Sequence, residues 1–436
     1  MTTADSQSKL IDDCFRQDPR DRTRLSHAGA IAALKARVSP IAKIESVPLA
    51  QAAGRIAASD MFAINPVPGH TNAAVDGYAY AAAQHPGDMA RSFPVAGRAA
   101  AGRPFAGEVP AGAAVRIFTG AVVPGALDTV VMQEDCNVCA DSLVEIPPGL
   151  KCGANVRQAG EDVAQGSLLV GGHNRLRPQD IAAVASSGYG SIDCYAPIRV
   201  GIASTGDEVV AADGRSALTA GQVFDVNRPM LAGLVWQTGA EVVDLGIWPD
   251  DRSEIERRLI AAASQCDVVL TSGGASQGEE DHIAHVLGNL GSRHFWQIAV
   301  KPGRPLMFGQ IGDTVVAGMP GNPVAVFVCF LLYVFPLIGR LGGAHWFEPR
   351  RFPVPAAFSV SGRKLGRREF WRATTQQTES GLTVEKFSRD GSGLITGLRA
   401  ADGLIDVAED RVSVAPGEMV DFIPFTEFGI TGPVIV

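Results

Sequence analysis

The sequence has no surplus of positive charge. Its 436 residues carry 38 Lys and Arg against 46 Asp and Glu, a formal net charge of −8. A general nucleic-acid-binding surface is thereby excluded, although a small anion can still be held locally by backbone N–H groups and two or three cations. A disulfide framework is also lacking. Seven cysteines at irregular spacing, an odd number running from Cys14 to Cys329, point to a reducing compartment, and a cytoplasmic location is expected. The polar stretch through Arg22 has no apolar core, so no signal peptide is expected. The longest apolar run, Val324 to Ile338, falls short of the roughly 20 residues that span a bilayer and contains Pro336. A buried helix is expected there, and no membrane association. Internal repeats, a Walker loop, a GxGxxG after a strand, a G-x-S-x-G elbow and a Ser-His-Asp arrangement are all missing.

What is present is an ordinary globular mix, 46% hydrophobic and 19% charged, with material for about three domains. The 49 glycines and 27 prolines imply many turns, short strands and glycine-lined sites. Residues 1–24 read as a flexible arm. Ile31, Leu34, Val38 and Ile41 have helical spacing, predicting a helix within His27–Lys43. Short runs such as Ala114–Phe118 and Thr129–Met132, between Gly and Pro turns, predict a compact β domain over 65–156. A helix expected at Pro178–Ser187 makes 25–64 and 157–194 two halves of one discontinuous first domain into which the β domain is inserted.

From Ile198 the pattern sharpens. Strand-like runs at Ile198–Ser204, Glu241–Ile247, Val268–Thr271 and Thr314–Ala317 alternate with helical patterns at Arg228–Trp236 and Ser253–Ser264. This predicts an α/β domain over 195–341 with a mostly parallel sheet covered on both faces. Short β runs at Phe352–Val360, Leu382–Phe387, Gly403–Val407 and Met419–Ile423 predict a C-terminal β domain over 345–436.

In an open parallel sheet, ligands bind beyond the carboxyl ends of the strands. Four loops are expected at that edge: Ser204-Thr205-Gly206-Asp207-Glu208, Thr271-Ser272-Gly273-Gly274-Ala275-Ser276, Lys301-Pro302-Gly303-Arg304-Pro305 and Gly318-Met319-Pro320-Gly321-Asn322-Pro323. Paired glycines let backbone N–H groups approach a phosphate, hydroxyls add donors, and Lys301 and Arg304 supply charge. Singly, each loop is equally a tight turn or a helix cap; four at one edge argue for a ligand site. Carboxylates gather there too: Asp207 and Glu208, Asp250 and Asp251, and Glu279 to Asp281. Each alone reads as a solvated helix N-terminus. Together they would repel, at about 4 kcal/mol for two charges 4 Å apart at an effective dielectric near 20. A hard cation such as Mg²⁺ beside phosphates relieves that. Cys136-x-x-Cys139 with Cys152 is a weaker metal candidate, since no second ligand pair sits at a suitable spacing, and so is His282 with His285, at i and i+3 on an expected helix beside Asp281, where such histidines are more often surface residues.

Taken in order, these motifs carry a resemblance. Asn72-Ala73-Ala74-Val75-Asp76-Gly77-Tyr78-Ala79, Arg116-Ile117-Phe118-Thr119-Gly120, Gly160-Glu161-Asp162, the Thr-Gly-Asp-Glu and Ser-Gly-Gly-x-Ser loops, and Lys-Pro-Gly-Arg-Pro followed by Pro-Gly-Asn-Pro resemble the molybdopterin molybdenumtransferase family, from about Leu25 to Phe425. The C-terminal part of gephyrin is similar. The resemblance implies an elongated four-domain subunit with an adenylyltransferase-like α/β domain, and a homodimer whose site is shared between the α/β domain of one subunit and the inserted domain of the other. It implies that adenylated molybdopterin and molybdate enter and that AMP leaves, with Mg²⁺ required. A molybdopterin adenylyltransferase and molybdoenzymes are the implied protein partners.

By position, the resemblance implies catalytic roles for Asp76, Asp162, Glu208, Asp250, Asp281 and Lys301, with Glu208, Asp250 and Asp281 holding the metal. It implies ligand contacts from Thr119, Thr205, Gly206, Ser272, Gly273, Gly274, Ser276, Arg304, Pro320, Gly321, Asn322, Arg367 and Ser392. Two departures stand out. Ala73-Ala74-Val75 replaces the Ser-Ala-Met frequent in the family, removing a hydroxyl, and Arg304 stands where Lys or a neutral residue is common. The adenylyltransferase of the preceding step, a pterin-binding scaffold without turnover, and tungstate in place of molybdate stay open as alternatives.

Overall fold

The structure, a computed structural model, describes residues 25–139, 142–214, 217–273, 282–379 and 381–431. The chain is an α/β multidomain protein, and its first part is discontinuous in sequence. Ile44–Pro48 pairs antiparallel with Ser191–Tyr195, which pairs on its other side with Ile56–Ala57, and Met61–Phe62 pairs with Leu168–Val170. Val47, Ala57, Met61, Leu176, Val184 and Ile192 close a small core there. The predicted helix within His27–Lys43 stops at Arg37. Pro40 disfavours helical geometry at Ser39, and Val38 is already extended.

Between these halves lies a six-stranded sheet in the order Thr129–Met132, Gly77–Tyr80, Ala114–Ile117, Arg91–Ala99, Leu143–Ile146, Asn137–Cys139. Alternation along Gly77–Tyr80 sends Ala79 to one core and Tyr78 and Tyr80 to the other, the two-residue period of a strand buried on both faces.

The α/β domain holds a six-stranded sheet in the order Glu241–Trp248, Arg199–Thr205, Val268–Ser272, Thr314–Met319, Pro305–Ile311, Ser292–Gln297. The first four strands are parallel, as predicted; the last two join antiparallel. Helices Arg252–Ala263 and His282–Leu290 cover one face through Ile255, Leu259, Ile283 and Leu287. The other face is covered by Asn227–Gln237 and by Pro323–Leu341. The latter spans 19 residues and is long and apolar enough to cross a membrane, which corrects the expectation drawn from the shorter run. However, 83% of its apolar stretch is buried inside the molecule, so it is a core helix. Its middle turn, Phe330–Val334, is π-helical. This wider turn accommodates Pro336, which has no N–H to return to the preceding turn.

The core around this helix is shared. Ala30, Ala33, Leu34 and Val38 of the first helix, the sheet residues Val200, Leu270 and Ala317, and Phe370, Leu404, Ile423 and Phe428 of the C-terminal sheet belong to one cluster with it. The C-terminal sheet runs Val300–Lys301, Arg368–Thr378, Gly403–Val407, Met419–Pro424, Phe352–Pro355, with Gly381–Lys386 paired to the long strand. Its first strand belongs to the α/β domain's own stretch of chain and pairs in parallel, Val300 with Arg368 and Lys301 with Glu369.

Within the shared core His27 and Tyr333 are buried, with His27 Nδ1 and the Tyr333 hydroxyl 2.8 Å apart. Burial, the largest influence, lowers the His27 pKa to about 4; Asp406 opposes this, and Arg368 and Arg351 add to it. The unfolded chain therefore binds a proton at this histidine between about pH 6.5 and pH 4 that the folded chain does not. Stability is full above pH 6.5 and falls as the pH drops through that window, by up to about 3 kcal/mol from this group. Urea denaturation between pH 7 and pH 4 should show that loss, and a His27→Gln variant should show a smaller one.

Candidate functional site

A cleft of about 390 Å³ opens where the α/β domain meets the C-terminal sheet. One wall is Lys301, Pro302, Gly303 and Pro305 from the third loop, with Pro320, Gly321 and Asn322 from the fourth. The other is Phe370, Trp371 and Arg372 from the long strand, with Lys386, Phe387, Arg389, Asp390 and Ser392 from the segment that follows. Four cations and one carboxylate line it, around three aromatic rings. That combination suits an anionic ligand with a planar part.

Two of the cations, Lys301 and Arg372, have a structural reason for their place. Lys301 is carried to the cleft by its pairing with Glu369 across the domain junction. Its Nζ lies 3.8 Å from the buried Glu369 carboxylate and 3.6 Å from Asp390. Glu369 also accepts the Trp371 indole N–H at 2.9 Å, so one carboxylate steadies two neighbouring cleft residues. Arg372 is buried, yet its contacts are carbonyls and a ring, not a carboxylate. It donates to the carbonyls of Leu394, Arg389 and Gly391 at 2.8, 2.8 and 3.2 Å, and its guanidinium lies 4.7 Å from the Phe387 ring centre. Burial lowers its pKa. The arginine thus fixes the loop that bears Asp390 and Ser392 while its charge stays without a contacting carboxylate.

The first two loops meet beside this cleft. The Thr205 hydroxyl donates to the Ser272 carbonyl at 3.4 Å, and the Gly273 N–H donates to the Met319 carbonyl at 3.2 Å. A Cβ on Gly273, at φ +94°, would fall 2.5 Å from Thr205 Oγ1, so this approach requires glycine. Gly206, at φ +134°, is constrained likewise by the Glu208 carboxylate folded over it. Asn227 joins the two halves. Its amide donates to Ser272 Oγ at 2.7 Å and to the Gly321 carbonyl at 2.6 Å, and its buried Oδ1 has no partner. Such an orphaned acceptor at the carboxyl edge of a sheet fits a site that receives a donor from elsewhere.

The carboxylates converge in part. Asp207 Oδ1 accepts the Asp250 N–H at 3.0 Å. The Asp250 pKa is raised, by burial first and then by the charges of Asp207 and Glu208, with His282 opposing. Neighbouring like charges of this kind are relieved by a hard divalent cation. Asp251 instead caps its helix, accepting the Glu254 N–H at 2.8 Å and the Ser253 hydroxyl at 2.6 Å, which is the ordinary N-terminal role. Gly274, Ser276 and Asp281 lie outside the described residues. Among the described residues no group of three or more His, Cys, Asp or Glu side chains is placed to hold a metal. Cys136, Cys139 and Cys152 are free thiols, and His285 is exposed.

The remaining candidates sit apart from the cleft. Asp76 accepts from both the Thr119 N–H and its hydroxyl at 2.8 Å, and these bonds hold its carboxyl below the usual range. Asp162 is exposed in the return from the inserted sheet, its N–H donating to the Val67 carbonyl at 3.1 Å. Arg304 is exposed and does not line the cleft. Arg367 pairs with Glu369 at 3.2 Å and does not line it either, because Glu369 lies between Arg367 and Lys301. Arg372, Lys386, Arg389 and Asn227 were not singled out from sequence. The run Phe370-Trp371-Arg372, and Lys386 and Arg389 upstream of Ser392, were the available signals.

Residues 25–188 match "MoeA N-terminal region (domain I and II)", residues 201–340 match "Probable molybdopterin binding domain", and residues 355–425 match "MoeA C-terminal region (domain IV)". A molybdopterin molybdenumtransferase of Haemophilus influenzae is 37% identical over 87% of this chain and 94% of its own. The chain belongs to the molybdopterin molybdenumtransferase family.

A second relative, molybdopterin molybdenumtransferase 2 of Mycobacterium tuberculosis, is 32% identical over 91% of this chain and 98% of its own. The crystal structure of a molybdopterin biosynthesis moeA protein from Pyrococcus horikoshii OT3 superposes with a TM-score of 0.79 at 28% identity, covering 92% of this chain and all of that one. Within this family frame the cleft is built by the C-terminal region closing on the molybdopterin-binding domain.

Arg372 is the element of the cleft most sensitive to shape. Arg372→Lys keeps the charge but cannot reach three carbonyls from one ammonium with the same fork. Hydrogen exchange at residues 389–394 should accelerate, with a stability loss of about 1–3 kcal/mol in urea.

Proposed function

We propose that this chain is the transferase that inserts molybdenum from molybdate into adenylated molybdopterin and releases AMP, in molybdenum cofactor biosynthesis. The observation that carries the reading is the cleft itself. Lys301, Arg372, Lys386 and Arg389 converge on a pocket walled by Phe370, Trp371 and Phe387, in a chain whose net charge is otherwise negative. Membership of the family supplies the substrate class.

In this reading Lys301 and its neighbouring cations bind the oxyanion, and Ser392 adds a hydroxyl donor from the loop that Arg372 steadies. The loops at Thr205–Gly206, Ser272–Gly273 and Pro320–Asn322 receive the phosphorylated part of the ligand through backbone N–H groups. Asn227 Oδ1 is an acceptor for a donor on that ligand. Glu208 and Asp250, with Asp281, would hold Mg²⁺, which when bound neutralises charge on the phosphoanhydride. Anhydride cleavage then rests on positioning and charge stabilisation, with no covalent nucleophile from the protein. The dithiolene sulfurs of the ligand receive the molybdenum, so no protein cysteine takes part.

Asp76, Thr119 and Asp162 lie on the inserted and first domains and do not line the cleft of their own chain. A homodimer in which the inserted domain of one subunit completes the site of the other brings them into use. A cytoplasmic setting accords with the free thiols.

Purified protein with Mg²⁺ and adenylated molybdopterin should release AMP on addition of molybdate. Lys301→Ala and Asp281→Ala should each lower that rate by about 100-fold or more, the scale on which loss of a charge-stabilising group acts. Ligand binding without AMP release by the wild type would instead make this a pterin-binding protein on an enzyme's fold.

A further inference from the structure

Among the described residues the only carboxylate lining the cleft belongs to Asp390, and it is aimed at the cations. Its Oδ1 accepts from Lys386 Nζ at 2.6 Å, and its Oδ2 lies 3.6 Å from Lys301 Nζ. One side chain thus spans both lysines of the cleft. The loop that carries it is fixed from beneath by Arg372, through the carbonyls of Arg389 and Gly391 on either side of it. The carboxylate itself remains 60% exposed, so it can leave the lysines without opening the core. The Glu369 carboxylate differs: it is buried, with other partners in Trp371 and Arg367, and cannot be displaced.

We propose that Asp390 is a resident counter-anion that occupies the lysine pair of the empty cleft and is displaced by the incoming oxyanion, so that it sets the affinity and charge selectivity of that subsite. The inference rests on the reading of the cleft as the oxyanion site. An entering anion must break two lysine–carboxylate contacts before it gains its own, and it must then share the cleft with the displaced charge. The cost of breaking those contacts is the same for any anion, whereas repulsion from the displaced carboxylate grows with the charge of the ligand, so the resident carboxylate penalises a dianion more than a monoanion. Because the pairs are partly exposed, the penalty is modest, about 3- to 10-fold in affinity.

The test is equilibrium binding of molybdate, with nitrate as a monoanionic competitor, to full-length wild type, Asp390→Asn, Asp390→Ala and Lys301→Ala. The expected result is that Asp390→Asn and Asp390→Ala both bind molybdate about 3- to 10-fold more tightly. Molybdate should gain more than nitrate does, and Lys301→Ala should lose binding. Unchanged or weaker molybdate binding in the two Asp390 variants, with binding still dependent on Lys301, overturns the counter-anion role and leaves the oxyanion site standing. Tightening in Asp390→Asn alone also overturns it, since the amide and not the missing charge would be responsible. Molybdate binding that ignores Lys301, or is absent from wild type and variants alike, overturns the oxyanion site and this inference with it.

Discussion

The cleft depends on a two-residue parallel pairing. Val300 and Lys301 leave the α/β domain's sheet and enter the C-terminal sheet beside Arg368 and Glu369. Without that exchange Lys301 would stand at the end of a loop. With it, a lysine of one domain sits against a buried carboxylate of the other, and the cleft walls are locked in register. The apolar helix Pro323–Leu341 makes the junction rigid, since its core residues are shared by the first helix, the parallel sheet and the C-terminal sheet. Dense packing of this kind transmits position over a long distance because it leaves little room to adjust.

Charge is divided across this frame. Carboxylates gather at Asp207, Glu208 and Asp250, where burial and mutual repulsion raise the Asp250 pKa. Cations gather in the cleft, where Arg372 is satisfied by carbonyls and a ring and so keeps its charge without a contacting carboxylate. Asn227 is the tie between the two regions, bonded to the second loop and to the fourth.

Much of this was legible in the chain. The alternation of apolar runs with helical patterns predicts four parallel strands within about a residue or two at each end, because a strand buried on both faces is nearly all apolar. The glycine and proline loops of the site are legible for a similar reason, since their backbone geometry admits few other residues. The long strand Arg368–Thr378 was not legible. It begins with Arg and Glu and ends in a polar run, and it is a strand because Val300–Lys301, Gly381–Lys386 and Gly403–Val407 pair with it. Arg372 was not legible for the same reason: without the strand, nothing says that it faces the cleft.

The sequence by itself determined the fold class, the family and the loops that must be glycine-rich, all of which rest on local residue choice and spacing. The tertiary structure decided which charges work together. Lys301, Lys386 and Asp390 come from two domains and from opposite sides of a strand exchange. Arg304, three residues from Lys301, stays outside. Electrostatic partnership falls off over a few ångströms of space, not over positions in a chain, so only the folded packing of the two domains could assign it.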